Sequence, residues 1–405
     1  MPQIIIIYCG CILYMLYYSR NLGGCFMITR SILPRIHGDL FKGKAIIITG
    51  PRQSGKTTLI KLLLEQINEP AIVWNGDEPD IRELLSNCTS TKLKAYIGTH
   101  KLVVIDEAQR IPNIGLTLKL ITDQIPNVQV IASGSSSFLL AQAINEPLTG
   151  RKYEYTLYPL TFSELSSHFG MLEEKRLLEH RLIYGAYPEI VTSQGEEKRL
   201  VKLLAESYAY KDIYTLEKIK YPVLLEKILR ALALQLGNEV SFNELAQLVH
   251  ADRSTVERYI QLLEQSFILF KLPAYNKNIR NEIKQSRKIY FYDLGIRNAL
   301  LGNFSPLALR NDTGALWENY IVVERLKLLR YSESSAQSYF WRTTQQQEID
   351  YIEETNNSLA AYECKWNPTK KVRFPSTFTS HYMPTKTAII TPGTYEDFLS
   401  LPMQS

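Results

Sequence analysis

Short apolar runs that end in polar clusters organise the first half of the chain. Ala45–Thr49, Leu102–Ile105 and the run from Val128 are each four or five residues long, and a helical pattern covers Leu59–Ile67. Continuous apolar runs of this length are typical of parallel strands buried on both faces. The pattern therefore predicts an α/β core with a parallel sheet, which we place at residues 27–165.

The middle of the chain changes to a helical period. Leu172–Leu236 shows helical apolar spacing and predicts a helical connector over residues 166–238. Next, Ser241 and Glu244 form a capping-box pattern, and a turn at 250–252 separates two short helices. The second helix directs four apolar side chains inward, and the strand 267–272 follows; the inward residues are Val256, Tyr259, Ile260 and Leu263. Residues 239–300 thus have a winged-helix outline.

Alternation of apolar and acidic residues returns near the C-terminus, in EIDYI (348–352) and AYECKWN (361–367). Residues two apart in a strand share a face, so Glu348 lies beside Asp350, and Glu363 beside Lys365. Tyr362 and Cys364 then point to the apolar side. The pattern predicts a small α/β domain over residues 301–405.

Composition adds little to this picture. The 405 residues are 45% hydrophobic and 21% charged, as in ordinary soluble proteins, and the net charge of +5 is only weakly basic. The five cysteines include no CxxC pair, which favours a reducing cytoplasm and no structural zinc. The apolar run 4–18 is short for a membrane span, so we favour translation from Met27 and expect no stable membrane association. A leader over residues 1–26 is the alternative.

The most specific motif is GPRQSGKTTL, which follows the first strand and opens a helix. It fits the phosphate-loop pattern, in which glycines let backbone N–H groups surround a phosphate at a helix N-terminus. Lys56 is expected to reach the β and γ phosphates of ATP, and Thr57 to ligate Mg²⁺. The predicted nucleotide-binding residues are Gly50, Pro51, Arg52, Gln53, Ser54, Gly55, Lys56, Thr57 and Thr58.

Polar residues after the other strands supply candidate chemistry for hydrolysis. Asp106 is expected to hold hydrated Mg²⁺, and Glu107 to polarise the attacking water. Either Ser133 or Ser135 is placed to sense the γ-phosphate, although a plain serine-rich turn fits equally well. Arg151 is a candidate to stabilise the transferred phosphoryl group, in its own chain or in a neighbouring copy.

Basic residues of the winged-helix segment suggest contact with double-stranded DNA. Its second helix carries Arg253, Ser254, Glu257 and Arg258 on the outer face, and the following loop is rich in cations. The loop residues are Lys277, Arg280, Lys284, Arg287 and Lys288, set against Glu282. Such a surface suits a phosphate backbone. The alternative is a packing or dimerisation module with a solvated basic loop.

The C-terminal acids have the spacing of a metal-dependent nuclease site. Asp350, Glu363 and Lys365 match the Asp, Glu-x-Lys spacing of restriction-endonuclease-like folds, with Glu318 as a further acid. Asp350 and Glu363 would hold Mg²⁺ or Mn²⁺, whose bound water becomes the nucleophile, and Lys365 would orient that water or offset charge on the phosphorane. The alternative is a cross-strand ion pair on an exposed sheet.

Together these motifs resemble a family, the bacterial and archaeal AAA-like P-loop ATPases with a C-terminal conserved domain of unknown function. The matching stretches span residues 27 to about 370: GPRQSGKTTL, VVIDEAQRIP, ASGSSS, LYPLTFSEL, YGAYPEIV, YKDI, YFYDLG and LWENYIVVERL. The resemblance implies ATP binding and slow hydrolysis. Many AAA-type relatives assemble into rings, but nothing in this sequence requires it, so a homo-oligomer stays open. Two function classes stay open: an ATPase coupled to a C-terminal nuclease on DNA, and an ATP-driven switch or scaffold whose nuclease-like domain only binds a partner.

Overall fold

A five-stranded parallel sheet forms the first half of the chain, in a computed structural model that describes residues 27–135, 144, 147–207, 221–275, 287–356, 358–369 and 372–400. The strand order is β2-β3-β4-β1-β5, and every neighbouring pair is parallel. The strands are β1 (Ala45–Thr49), β2 (Ala71–Asn75), β3 (Leu102–Asp106), β4 (Gln129–Gly134) and β5 (Lys152–Thr156). The predicted parallel core is confirmed.

Helices cover both faces of this sheet. They are α1 (Leu33–Gly38), α2 (Lys56–Gln66), α3 (Pro79–Leu85), α4 (Ser90–Ile97) and α5 (Ile114–Gln124). Successive strand residues alternate between two cores: Ile47 packs with α3, α4 and α5, whereas Ile46 and Ile48 pack with α1 and α2. Because both faces are buried, the strands read as unbroken apolar runs.

A helical connector follows the sheet, as predicted. Its helices are α6 (Phe162–Phe169), α7 (Met171–Arg176), α8 (Leu178–Tyr184), α9 (Pro188–Thr192), α10 (Glu197–Ser207) and α11 (Pro222–Leu234). The first begins with a capping box, in which Thr161 and Glu164 satisfy each other's backbone N–H groups. The YKDI stretch lies outside the described residues.

The next elements are two helices and a three-stranded antiparallel sheet. They are α12 (Phe242–Val249), α13 (Arg253–Gln265), β6 (Glu239–Val240), β7 (Leu269–Pro273) and β8 (Arg287–Phe291), with strand order β6-β8-β7. Ser241 and Asp252 cap the two helices through side-chain oxygens. The loop 276–286, where a wing would lie, falls outside the described residues, so the winged helix stays a prediction.

The C-terminal part is built on a mixed four-stranded sheet. Its strands are β9 (Gln337–Arg342), β10 (Glu348–Thr355), β11 (Ser358–Cys364) and β12 (Lys386–Ile390), in the order β12-β11-β10-β9. Only the β11 and β12 pair is parallel. The helices are α14 (Leu294–Leu301), α15 (Thr313–Tyr331), α16 (Ser376–Tyr382) and α17 (Tyr395–Leu399). From α15 onward the chain therefore runs helix, three strands, helix, strand, and then α17.

Two of the family-like stretches interlock at the base of α14. The Asp293 carboxylate accepts a hydrogen bond from the Ala186 N–H at 2.7 Å, and it also caps α14. A side chain at Gly185 would meet Asp293 Oδ1 at 2.0 Å, and one at Gly295 would meet the Tyr184 carbonyl at 2.0 Å. YGAYPEIV and YFYDLG therefore form a packing contact between the connector and the C-terminal half.

A large apolar core runs through most of the chain after the parallel sheet, beside a smaller one around Ile349 and Phe378. The large core extends from Phe162 in α6 to Leu399 in α17 and includes residues of α11, α12, α13 and β8. The boundaries predicted at residues 238 and 300 consequently stay predictions. Within the described part of the chain, no helix is both long enough and apolar enough to cross a bilayer.

Candidate functional site

The phosphate loop leaves β1 through two glycines that its backbone path requires. Gly50 lies against Leu157, the residue that follows β5, and a Cβ at position 50 would come within 2.2 Å of the Leu157 carbonyl oxygen. Gly55, with φ +93°, is the N-cap of α2, and Gln53 also has a positive φ of 57°. Left-handed residues at a strand-to-helix turn place consecutive N–H groups on one concave side. The predicted strand, loop and helix context is thus present.

The inside of this loop has the properties of an anion site. Lys56 is buried and donates to the carbonyl oxygens of Gly50 at 3.0 Å and Pro51 at 2.7 Å. The Ser54 hydroxyl is fully buried and has no hydrogen-bond partner among the described residues. The first-turn N–H groups of α2 have no partner within the helix. A nucleotide phosphate would satisfy these donors, so the loop fits the group that the motif implies.

Three predicted residues meet beside the loop in one hydrogen-bonded row. The Thr57 hydroxyl donates to Asp106 Oδ2 at 2.9 Å, and the Ser133 hydroxyl donates to Asp106 Oδ1. Thr57 is in the first turn of α2, whereas Asp106 and Ser133 are at the carboxyl ends of β3 and β4. The three side chains meet because the carboxyl ends of parallel strands lie at one edge of the sheet. Thr57 and Asp106 together offer the oxygen ligands that Mg²⁺ prefers.

Glu107 stands next to this row and has a partner that the sequence analysis did not name. It adopts a left-handed conformation with φ 50°, and its Oε2 accepts a hydrogen bond of 2.5 Å from Gln109 Nε2. The same amide nitrogen lies 3.3 Å from the Ser135 hydroxyl. Ser133 therefore faces Asp106, whereas Ser135 faces Gln109. The only signal for Gln109 was its place two residues after Glu107.

Arg151 lies at the amino end of the parallel strands, opposite the end that carries the phosphate loop. It immediately precedes β5, and its carbonyl accepts from the N–H of Ala45, the first residue of β1. Its guanidinium pairs with Asp123 at 2.8 Å on the surface. Because β1 and β5 are parallel, the length of a strand separates Arg151 from the phosphate loop that follows β1. The predicted role of Arg151 within its own chain is therefore wrong. A role toward a neighbouring copy stays a prediction.

The C-terminal acids and lysine also meet, at the junction of β10 and β11. Lys365 Nζ lies 2.9 Å from Asp350 Oδ2 and 2.6 Å from Glu363 Oε2. Asp350 also accepts from the Cys364 N–H at 2.8 Å. Both carboxylates are buried, at 7% and 6% exposure. The alternative of an exposed cross-strand ion pair does not describe this site.

Asp350 and Glu363 share the Lys365 ammonium, and their pKa values shift in opposite directions. Burial, together with the negative charge of Asp350, raises the pKa of Glu363 to about 7. Burial alone would raise the pKa of Asp350 too, but the charges of Lys288 and Lys365 hold it below its ordinary value. Near neutral pH, Asp350 therefore carries the charge and Glu363 holds a proton in part of the molecules.

Glu318 joins the same cluster through Lys288, which the sequence pattern predicts to lie on a DNA-binding loop. Lys288 is fully buried, and its ammonium lies 2.7 Å from Glu318 Oε1 and also contacts Glu348. Tyr290 donates to the same Glu318 oxygen at 2.7 Å. The prediction for Lys288 as a phosphate contact is wrong, because β8 turns it inward. Its period-two spacing from Tyr290 was the available signal.

The chemistry of this cluster suits a divalent cation in part. Asp350 and Glu363 are two oxygen ligands, the number that a catalytic Mg²⁺ commonly takes from protein. Glu318 is directed to Lys288 and Tyr290 instead, and the described residues contain no cluster of three or more potential metal ligands. Asp350 and Glu363 are therefore the residues that would hold a cation, with Glu318 behind them.

The face proposed for DNA is described only in part. Arg253, Ser254 and Arg258 are exposed on α13, and Arg253 pairs with Glu257 at 2.8 Å. Arg287 packs over the Phe242 ring. The remaining residues of the predicted basic loop lie outside the described part of the chain; they are Lys277, Arg280, Glu282 and Lys284.

Comparison with known families covers most of the chain in three parts. A family model described as an AAA domain matches residues 42–166. Domains of unknown function match residues 175–307 (DUF8612) and residues 313–400 (DUF4143). The phosphate loop and Asp106 thus lie in the first part, whereas Asp350, Glu363 and Lys365 lie in the last.

Relatives of similar build occur in bacteria and archaea. An uncharacterized protein of Mycobacterium tuberculosis is 27% identical over 362 residues, which cover 86% of this chain and 76% of the relative. One of Methanocaldococcus jannaschii is 24% identical over 363 residues, covering 82% and 78%.

Among solved structures, a Walker-type ATPase of Pyrococcus abyssi is similar at 16% identity and a TM-score of 0.48, over 68% of this chain and 96% of that one. The Aeropyrum pernix ORC1 protein in complex with DNA is similar at 13% identity and a TM-score of 0.35, over 67% and 92%. The chain thus combines an AAA domain, with its parallel sheet and phosphate loop, and a C-terminal domain of unknown function.

Proposed function

We propose that this protein binds ATP with Mg²⁺ at the phosphate loop and hydrolyses it. The observation that carries the proposal is the row formed by Thr57, Asp106 and Ser133, which come from three separate elements. The row lies at the carboxyl edge of the sheet, beside the phosphate loop. It is the arrangement that a hydrated Mg²⁺ beside a phosphate requires.

Each residue has a distinct task in this proposal. Bound Mg²⁺ would neutralise charge on the β and γ phosphates. Lys56 exchanges its bonds to the Gly50 and Pro51 carbonyls for phosphate oxygens, Thr57 and Asp106 hold the ion or its water shell, and Ser133 orients Asp106. Glu107 polarises the attacking water once Gln109 releases its carboxylate.

Nucleotide binding tests the loop directly. We expect ATP with Mg²⁺ to bind the wild type and not Lys56→Ala, measured by equilibrium titration with a fluorescent ATP analogue. Lys61→Ala is the matched control, because Lys61 is an exposed lysine on the same helix. Retained binding in Lys56→Ala, or no binding by the wild type, would overturn the proposal.

A second activity is favoured by the shared lysine of the C-terminal cluster. We infer that this cluster is a metal-dependent phosphodiester-cleaving site acting on double-stranded DNA, and that α13 contributes to holding the duplex. Asp350 and Glu363 would bind the cation, and Lys365, within 3 Å of both carboxylates, would orient the attacking water or offset charge on the phosphate. Burial of the two carboxylates, with Lys365 only partly exposed, separates this cluster from an ordinary surface ion pair.

A DNA cleavage assay distinguishes the nuclease function from that of a nucleotide-driven switch. The chain from Met27 is incubated with supercoiled and linear DNA and Mg²⁺ or Mn²⁺, with and without ATP. We expect cleavage that is lost in Asp350→Ala and Glu363→Ala but kept in Glu354→Ala, a partly exposed acid on the same strand. ATP turnover without any cleavage would instead support a nucleotide-driven switch whose C-terminal domain binds a protein or nucleic-acid partner.

A further inference from the structure

Arg30 reaches the phosphate loop from the segment before α1, although no pattern in the sequence marks it. Its side chain is buried, with 4% exposure, and makes three hydrogen bonds. Nη1 donates to the Ser54 carbonyl at 2.7 Å, and Nη2 donates to the Tyr158 carbonyl at 2.6 Å. Nε donates to Glu164 Oε1 at 3.1 Å. The Arg30 guanidinium thus joins the phosphate loop, the residues that follow β5 and the first turn of α6.

The acceptors around Arg30 are themselves held in place. Glu164 belongs to the capping box of α6 and also accepts from the Ser31 N–H at 2.8 Å. Tyr158 follows Leu157, whose N–H donates to the Thr49 carbonyl at 2.7 Å. A planar guanidinium that reaches three fixed acceptors has one orientation, which a lysine with its single ammonium cannot reproduce.

The bond to Ser54 bears on the loop's ability to bind phosphate. In a trans peptide the carbonyl oxygen and the following N–H point in opposite directions. When Arg30 holds the Ser54 carbonyl, it therefore fixes the direction of the Gly55 N–H, one of the donors that a phosphate loop presents. Glycine at position 55 allows more backbone conformations than any other residue, so this peptide gains most from being held.

We propose that Arg30 is a positioning residue that holds the phosphate loop in its nucleotide-binding conformation and links it to α15. This inference rests on the proposed ATP binding. The link runs through Tyr158, whose carbonyl accepts from Arg30 while its N–H donates to the Tyr331 hydroxyl at 3.1 Å. Tyr331 is the last residue of α15, the helix that also carries Glu318.

Further contacts fasten the same segment to α15. The Phe162 N–H donates to Glu324 Oε2 at 2.7 Å, and Lys327 Nζ lies 3.3 Å from the Leu160 carbonyl. Residues 157–162 therefore contact the phosphate loop on one side and α15 on the other. A change in the loop on nucleotide binding would reach α15 through this segment, with Arg30 as the connection from the loop side.

Amide hydrogen exchange of the nucleotide-free protein tests the positioning role without relying on ATP. We compare peptides covering residues 50–58 in the wild type, Arg30→Met, Arg30→Lys and Glu164→Gln. Lys42→Met is the control, because Lys42 is an exposed cation of the same N-terminal segment. We expect roughly tenfold faster exchange of the loop in both Arg30 variants, from the loss of charge-assisted hydrogen bonds. Glu164→Gln should change it less, since the bonds to Ser54 and Tyr158 remain.

A parallel titration with ATP and Mg²⁺ should show affinity weakened at least about tenfold in Arg30→Lys and unchanged in Lys42→Met. Loop exchange equal to wild type in folded Arg30→Lys would overturn the inference, as would an equal effect of Glu164→Gln, which would reduce Arg30 to an ion-pair partner. If Arg30→Met does not fold, the comparison of Arg30→Lys with Glu164→Gln still decides. A wild type that binds no ATP would refute the proposed function, while the exchange result would still decide on Arg30.

Discussion

At the scale of single residues, the C-terminal candidate site depends on charges that share partners. Lys365 serves Asp350 and Glu363, and Lys288 serves Glu318 and Glu348. Removing water from these groups is costly, so each carboxylate is stable there only with an ammonium or a proton. The cluster is therefore poised between protonation states near neutral pH.

The raised pKa of Glu363 makes the free energy of unfolding depend on pH. Glu363 has a pKa of about 7 in the folded protein, against an ordinary value of 4.5. The folded state thus keeps a proton that the unfolded chain releases, and stability falls as the pH rises from about 4.5 through about 7. Chemical denaturation should show Glu363→Gln losing less stability than wild type over this range, by up to about 3 kcal/mol. Parallel curves for the two proteins would contradict the assignment.

Sequence spacing revealed some of these residues and not others, for a physical reason. Asp350, Glu363 and Lys365 lie on two strands that are adjacent in sequence, so the two-residue period of a strand was enough to group them. Arg30 and Glu164 are 134 residues apart, and Lys288 and Glu318 are 30 apart. No local period reports such pairs. The basic neighbours of Lys288 consequently predict a surface position, although the side chain is buried.

At the scale of elements, α15 connects the two candidate sites. Glu318 lies near its start and Tyr331 at its end, about 20 Å apart at 1.5 Å per residue. Its flanks carry Asn319, which pairs with the backbone of Phe291, and Glu324, which accepts from Phe162. The helix was expected only as a carrier of Glu318, because its other partners are distant in sequence.

The interlock at α14 gives a test of this packing. Gly295→Ala should destabilise the protein by about 2–3 kcal/mol, because its Cβ would meet the Tyr184 carbonyl at 2.0 Å. Gly314→Ala, in the first turn of α15, is the control; it has open space and should be neutral or stabilising by up to about 1 kcal/mol. Urea denaturation of both variants measures the difference. Equal stability of the two would mean that the contact between connector and α14 is looser than the structure has it.

At the scale of the whole molecule, the protein consists of an AAA domain and a second body whose main apolar core runs from the connector into the C-terminal helices. Residues 157–162 join the two, and they touch the phosphate loop and α15 at once. Under the proposed function, a change of nucleotide state in one half would reach the other half through these residues. The parallel sheet and its loop were predictable from local patterns, whereas this junction depends on contacts that only the folded chain creates.

The central claim is that the loop and the acids beside it hydrolyse ATP. The most direct measurement is steady-state phosphate release from ATP by the chain from Met27, with Mg²⁺ or with EDTA, for the wild type and Glu107→Gln. We predict Mg²⁺-dependent turnover that falls about 100-fold or more in Glu107→Gln, while this variant still binds ATP. Wild-type turnover in Glu107→Gln, or none in a wild type that binds ATP with Mg²⁺, would contradict the account.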